Sequence, residues 1–325
     1  MKLGVIGGGA WGTALAQVAA QGRRETLLWA LEEDVVAAVN RIHENPVYLK
    51  GLKLEPAIRA TGNFSELKDC DAWLVVTPAQ HMRAVLARMP CPGIPLVLCS
   101  KGIEESSGAL LHEVARQVCS TSPIAVLSGP TFAHEVARGL PTAVTLAGDD
   151  IALAEQLRDR LAQPTFRIYV SDDPAGAEIG GAVKNVYAIA AGIVAGKKFG
   201  ASAHAALVTR SFAEMVRFGA TLGARRETLM GLSGLGDLVL TCGSPQSRNM
   251  SLGIELGKGK SLAEVLGKRI AVTEGVYTAS ALVEMAAARG IDMPIAQAVH
   301  AVISGLATVD EAIEALLSRP LRSEA

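Results

Sequence analysis

The sequence predicts an α/β protein: an N-terminal, Rossmann-like, doubly wound and mostly parallel sheet over residues 1–175, followed by an all-helical C-terminal domain over residues 176–325. Three observations carry this. The apolar run Leu3–Ile6 feeds into Gly7-Gly8-Gly9-Ala10-Trp11-Gly12 and then into an apolar stretch ending at Ala20, which reads as strand, glycine turn and helix. Short apolar segments then alternate with amphipathic ones as far as Val170, the pattern of a sheet wound with helices on both faces. From Ala177 to Leu317, segments rich in Ala, Leu and Glu and of helical period replace that alternation.

Each glycine of the G-x-G-x-x-G turn has a mechanical reason. Gly7 permits the tight turn, Gly9 lets backbone approach a pyrophosphate, and Gly12 lets helix and strand pack closely. The helix that follows aims its unpaired N–H groups and positive dipole end at the turn, where a diphosphate can sit. Residues 25–30 predict a second strand, and Glu32 falls about 20 residues beyond the glycines, where an acidic side chain holds the adenine ribose hydroxyls. Glu33 and Asp34 follow it. Residues 41–56 read as a helix end and loop. Further strands are expected at 72–76, 96–99 and 124–127, with amphipathic helices at 79–89 and 108–118. Two more strands, 142–146 and 166–170, bracket a helix at 151–161. A turn at Asp172-Asp173-Pro174 closes the sheet half, and the tail 320–325 is expected to fray.

Composition bounds the function. Of 325 residues half are hydrophobic and 19% charged, enough for a substantial core and two domains. Lys plus Arg (31) nearly balances Asp plus Glu (32), so no global field draws the chain to nucleic acid or an anionic membrane. The cysteines (70, 91, 99, 119 and 242) are odd in number and form no C-x-x-C pair, which fits a reducing cytoplasm. The N-terminus enters a strand without a leader-like segment, an expectation against secretion. Residues 186–196 are about half the length of a bilayer span and predict a core helix.

Ligands of an open parallel sheet sit beyond the carboxyl ends of its strands, which singles out Thr77-Pro78-Ala79-Gln80, Ser100-Lys101-Gly102 and Ser128-Gly129-Pro130-Thr131-Phe132-Ala133. Lys101 emerges from an apolar strand toward the cofactor crevice. In the helical half, Lys184 and Asn185 lie in a helix apolar on nearly every side, where burial and a cationic neighbour can lower an amine's pKa into the range of a proton acceptor. Asp237, in Gly234-Leu235-Gly236-Asp237-Leu238, is placed to orient a lysine. Ser247-Arg248-Asn249 opens a helix and can form an anion site from backbone amides, guanidinium and side-chain amide. No metal set is expected: His112-Glu113 and His134-Glu135 begin an H-E-x-x-H pattern, but Arg116 and Arg138 stand where the second histidine belongs. Ser128 lacks the G-x-S-x-G frame of a nucleophile elbow.

Together with Gly7 to Ala14, Gly181 to Asn185, Gly234 to Thr241 and Gln246 to Asn249, these motifs resemble the bacterial NAD(P)-dependent sn-glycerol-3-phosphate dehydrogenases over nearly the whole chain. The resemblance implies reversible hydride transfer at C2 between glycerol 3-phosphate and dihydroxyacetone phosphate, supplying phospholipid backbones. It implies Lys184 as proton acceptor, with Lys101 and Asp237 beside it. Lys101, Gly129, Thr131, Asn185, Asp237, Ser247, Arg248 and Asn249 become substrate contacts. The glycine-loop residues Gly7, Gly9, Ala10, Trp11 and Gly12, with Glu32, Tyr48, Lys101, Ala133, Arg248, Val272 and Glu274, become contacts for NAD or NADP. It further implies a cytoplasmic homodimer joined through the helical domain, acting on a small phosphate with neither nucleic acid nor membrane insertion. The nearest rival is a β-hydroxyacid-type dehydrogenase, which would have no use for a phosphate clamp at Arg248-Asn249. One feature departs from the family. Many members carry a basic residue after the second strand, whereas this chain has Leu31-Glu32-Glu33-Asp34, predicting that NAD is accepted at least as well as NADP unless Arg23, Arg24 or Arg41 folds over a 2′-phosphate.

Overall fold

A computed structural model describes residues 1–89, 93–267 and 272–320; Cys91 and positions 321–325 of the expected frayed tail lie outside the described residues. Strands β1 (Leu3–Ile6), β2 (Thr26–Trp29), β3 (Ile58–Thr61), β4 (Ala72–Val75), β5 (Leu96–Leu98), β6 (Ile124–Ser128), β7 (Thr142–Gly148) and β8 (Phe166–Ser171) form one sheet in the order β3-β2-β1-β4-β5-β6-β7-β8. The first six are parallel to one another. β7 runs antiparallel to β6, and β8 parallel to β7. Helices α1 (Ala10–Ala20), α2 (Glu33–Ile42), α3 (Met82–Ala87), α4 (Leu111–Val118), α5 (Ala133–Ala137) and α6 (Ile151–Leu161) complete this half.

Strands β1, β2, β4 and β5 are buried along their whole length, the consequence of covering both faces of a parallel sheet. β3 is absent from the expectation above, because Arg59 breaks its apolar run: that side chain points to solvent and pairs with Glu66 at 2.5 Å. Winding leaves β1 in opposite directions, toward β2 on one side and β4 on the other, so a crevice opens at their carboxyl ends.

The helical half contains α7 (Pro174–Gly196), α8 (Ala201–Ala220), α9 (Arg226–Met230), α10 (Asp237–Gly243), α11 (Arg248–Gly257), α12 (Leu262–Leu266), α13 (Glu274–Ala288), α14 (Pro294–Ile303) and α15 (Val309–Leu317). α7 is its hub. Asp173 caps the helix by accepting from the Gly176 amide at 2.8 Å, with Pro174 in the first turn, where its missing N–H costs nothing. The apolar run 186–196 proves to be the second part of this longer helix, which is long and apolar enough for a bilayer but is mostly buried among protein. α7 packs on α8, α10, α11, α13 and α14, and on β6 of the sheet half. Its approach to α11 is backbone to backbone: a Cβ placed on Gly253 would lie 2.0 Å from the Ile189 carbonyl oxygen. That contact sets where the start of α11 stands relative to Lys184.

A second tie runs from α7 to α4. Glu178 accepts from the His112 amide at 3.1 Å and from its ring Nδ1 at 2.5 Å. Burial presses the imidazole pKa down, but the Glu178 hydrogen bond and charge outweigh it, and the pKa ends raised. Among the cysteines, Cys70, Cys99 and Cys242 are buried thiols whereas Cys119 is disulfide-bonded, so the cysteines do not by themselves argue for a reducing compartment.

Candidate active site

The glycine turn is built by removing side chains. Gly7 adopts φ +126°, open to glycine and strained for other residues. A Cβ on Gly12 would lie 1.8 Å from the Gly7 carbonyl oxygen, so α1 can start this close to β1 only without one. Gly9 is different: nothing lies within 4 Å of where its Cβ would be. The open side is where a phosphate can meet the N-terminus of α1, whose N-cap residue Gly9 supplies no side-chain cap. Asn45 fastens the turn, donating to the Gly8 carbonyl and the Thr13 hydroxyl, both at 2.8 Å. Beyond β2, Glu32 precedes α2 and accepts a 2.6 Å hydrogen bond from the Tyr48 hydroxyl.

Across the crevice, Lys101 follows β5 and reaches both the Gly129 carbonyl at 3.1 Å and Asp237 Oδ2 at 2.7 Å. The other Asp237 oxygen, Oδ1, is ion-paired with Lys184 from α7. One fully buried carboxylate therefore gathers two ammonium groups, one from each half of the molecule. Asp237 is presented by a π-helical turn at Leu232–Gly236, a distortion that accompanies functional sites. Burial pushes the Lys184 amine down to about 7; Asp237 opposes this, and the positive charge of Lys101 adds to the lowering. A lysine that would ordinarily stay protonated can here exchange a proton near neutrality.

The phosphate-clamp candidates lie at the start of α11. Ser247 caps that helix, accepting from the Met250 amide at 3.2 Å. Arg248, whose pKa is lowered by burial, donates to the Val272 carbonyl at 2.7 Å. Asn249 is more committed than a free clamp group: its Nδ2 donates to Asn185 Oδ1 and its Oδ1 accepts from the Gly275 amide, each at 3.0 Å, joining α7, α11 and α13. Thr131 turns its hydroxyl onto the Gly129 carbonyl at 3.3 Å, and Ala133 begins α5. Glu274 accepts from the Ala79 amide at 3.3 Å through Oε1, while Oε2 is buried without a partner and burial raises its pKa.

Two contributors escape a reading of the sequence. Asn45 carries no motif. Thr241 donates to Asp237 Oδ1 at 3.3 Å, and helical i, i+4 spacing was the signal that could have found it.

A nicotinamide dinucleotide fits the residues present. The turn offers amides and open space for a pyrophosphate, Glu32 stands where a ribose is read, and the Trp11 indole N–H and Glu274 Oε2 are buried polar atoms without partners. A Rossmann-like sheet facing a helical domain across two lysines that share a buried carboxylate defines a nicotinamide-dependent dehydrogenase.

The comparisons narrow the class. Residues 2–154 match the family model for the NAD-dependent glycerol-3-phosphate dehydrogenase N-terminus, and residues 173–314 match that for the C-terminus. The chain belongs to the NAD-dependent glycerol-3-phosphate dehydrogenase family. Similar relatives named glycerol-3-phosphate dehydrogenase [NAD(P)+] come from Parvibaculum lavamentivorans, 59% identical over 99% of this chain and 98% of that one, and Erythrobacter litoralis, 56% identical over the same shares. The crystal structure of the Coxiella burnetii glycerol-3-phosphate dehydrogenase superposes with TM-score 0.93 at 37% identity, covering 98% of this chain and 99% of that one.

Proposed function

We propose that this enzyme interconverts sn-glycerol 3-phosphate and dihydroxyacetone phosphate with NAD or NADP, supplying the backbone of glycerophospholipids. The observation that carries the reading is the Lys184–Asp237–Lys101 cluster at the junction of the two halves. The glycine turn with Trp11 and Glu274 would hold a nicotinamide dinucleotide, which when bound would supply the hydride exchange with C2. In oxidation, neutral Lys184 takes the C2 hydroxyl proton as the C2–H hydride departs; in reduction its ammonium form returns that proton to the carbonyl oxygen. Lys101 and Asp237 hold charge in a dry pocket: Lys101 stabilises the developing alkoxide, and Asp237 keeps both amines aimed at one point. Gly129, Thr131 and Asn185 border the three-carbon substrate. Ser247, Arg248 and Asn249, with the N-terminal amides of α11, hold its phosphate, turning remote binding into orientation at C2.

The same reading makes the protein a cytoplasmic homodimer joined through its helical domain. Sedimentation equilibrium tests this, a monomer across the micromolar range being the contrary result. For the activity, loss of NADH or NADPH absorbance on addition of dihydroxyacetone phosphate is the expected outcome. Turnover of a 3-hydroxyacid without phosphate, and none with dihydroxyacetone phosphate, would overturn it.

A further inference from the structure

We propose that Gly180 and Gly181 are positioning residues for the proton transfer, Gly180 seating the turn that presents Asp237 and Gly181 seating the arm of Lys101. The inference rests on the dehydrogenase reading above and deepens it at the lysine cluster. Both glycines are buried in α7. They stand four and three residues before Lys184, about one helical turn and roughly 4.5–6 Å of rise.

The two glycines make room for different things. A Cβ on Gly180 would lie 2.4 Å from the Ser233 carbonyl oxygen and 2.7 Å from the Gly234 Cα. Both are backbone atoms of the π-helical turn Leu232–Gly236, which leads directly into Asp237. That turn has little room to retreat, because Gly234 also packs on the Leu229 carbonyl of α9, 2.0 Å from where its own Cβ would stand. A Cβ on Gly181 would instead lie 2.7 Å from Ser128 Oγ and 3.4 and 3.5 Å from Lys101 Cγ and Cδ. Lys101 therefore runs its methylene arm across bare backbone of α7 to bring its amine 2.7 Å from Asp237 Oδ2. Ser128 Oγ is buried there with no hydrogen-bond partner. One turn of α7 thus fixes where its own lysine, the carboxylate and the second lysine meet.

Asp237 raises the Lys184 pKa and the charge of Lys101 lowers it, so displacing the two partners has opposite consequences. Cys242 of α10 is pushed up to about 12 by burial and stays neutral. Charged groups on the other helices packed against α7 are engaged elsewhere: Glu214 of α8 with Tyr187 and the start of α14, Arg248 of α11 with the Val272 carbonyl, Glu274 of α13 with the Ala79 amide, and His112 of α4 with Glu178. Arg226 and Glu227 of α9 are exposed.

The test follows the Lys184 amine by NMR in the free enzyme with labelled lysine, its signal identified by its loss in Lys184→Met. Wild type should titrate at about 7. Gly180→Ala raises helix propensity and so does not weaken α7 itself. It should push the Ser233–Gly234 backbone and Asp237 away and lower the midpoint by about half a pH unit or more. Gly181→Val in a Ser128→Ala background, where the hydroxyl encounter is gone and the added side chain meets the Lys101 arm, should raise the midpoint by a similar amount. Ser128→Ala alone should titrate as wild type. General loosening of the fold does not give opposite signs at adjacent positions. A Gly180→Ala midpoint at or above wild type overturns the proposal, as does a double variant at or below the Ser128→Ala value; should Gly180→Ala fail to fold by circular dichroism, the double variant decides alone. Because the titration is read without substrate, a failure to turn over dihydroxyacetone phosphate would count against the substrate assignment and leave this result standing.

Discussion

The glycine turn and the lysine cluster face the same crevice and are made in opposite ways. At the turn, side chains are missing: Gly7, Gly9 and Gly12 expose backbone, and affinity would come from amides and a helix dipole. At the cluster, long charged side chains are driven into a protein interior, where Lys184 and Asp237 are almost wholly buried. The first arrangement is compatible with stability, since nothing is forced into an unfavourable medium. The second works against it, because a charged amine is costly to desolvate and is held near neutrality only by one shared carboxylate. Binding and proton transfer therefore place different demands on the fold.

Replacing each region's defining residue separates these demands. Lys184→Met should lower kcat by about 10²–10⁴-fold, the range for removing a general base. Asp237 keeps Lys101 at 2.7 Å, so no charge is stranded, and Tm at neutral pH should be equal to or above wild type. A kcat within a few-fold of wild type would remove Lys184 from its role.

Gly12→Ala should do the reverse, destabilising the protein by roughly 1–3 kcal/mol through overpacking against the Gly7 carbonyl, as read from the denaturant midpoint. Gly9→Ala meets no protein atom; its midpoint should stay put while its NADH dissociation constant rises. If both variants are equally destabilised, the turn's open side has been misassigned.

The pH dependence follows from the amine at about 7. Oxidation of glycerol 3-phosphate needs the neutral amine and should rise with pH through about 7. Reduction needs the ammonium and should fall over the same interval. Asp237 raises this pKa, so Asp237→Asn should move the inflection to lower pH; an unmoved inflection would assign the titration to another group.

The smallest effect is expected at His112–Glu178. A histidine whose folded pKa is raised contributes stability that is fully present below its unfolded value of about 6.5 and is lost as pH climbs through the folded value. Glu178→Gln should flatten that part of the Tm profile, and an unchanged profile would show the pair to be neutral in both states.

Much of this was legible before any coordinates. The glycine turn could be read because its parts are consecutive, and α6, capped by Asp150, spans the Ile151–Leu161 expected from its periodicity. Lys184 stood out because a lysine inside an apolar helix has few bland explanations. What escaped notice depends on neighbours distant in sequence. β3 is a strand because β2 pairs with it, despite Arg59. β7 reverses direction, which no local pattern records. Asn249, legible as an end-of-helix polar group, is instead tied to Asn185 and the start of α13.

The order of apolar and polar residues by itself determined the α/β class and the change to helices after the sheet, because local conformation and hydrophobic period depend on near neighbours along the chain. Only the tertiary structure decided that Lys101 and Lys184 share Asp237, that Tyr48 holds Glu32, and that burial lowers the Lys184 amine to about 7. Those outcomes depend on which distant side chains are excluded from water together, and desolvation is a property of the packed whole.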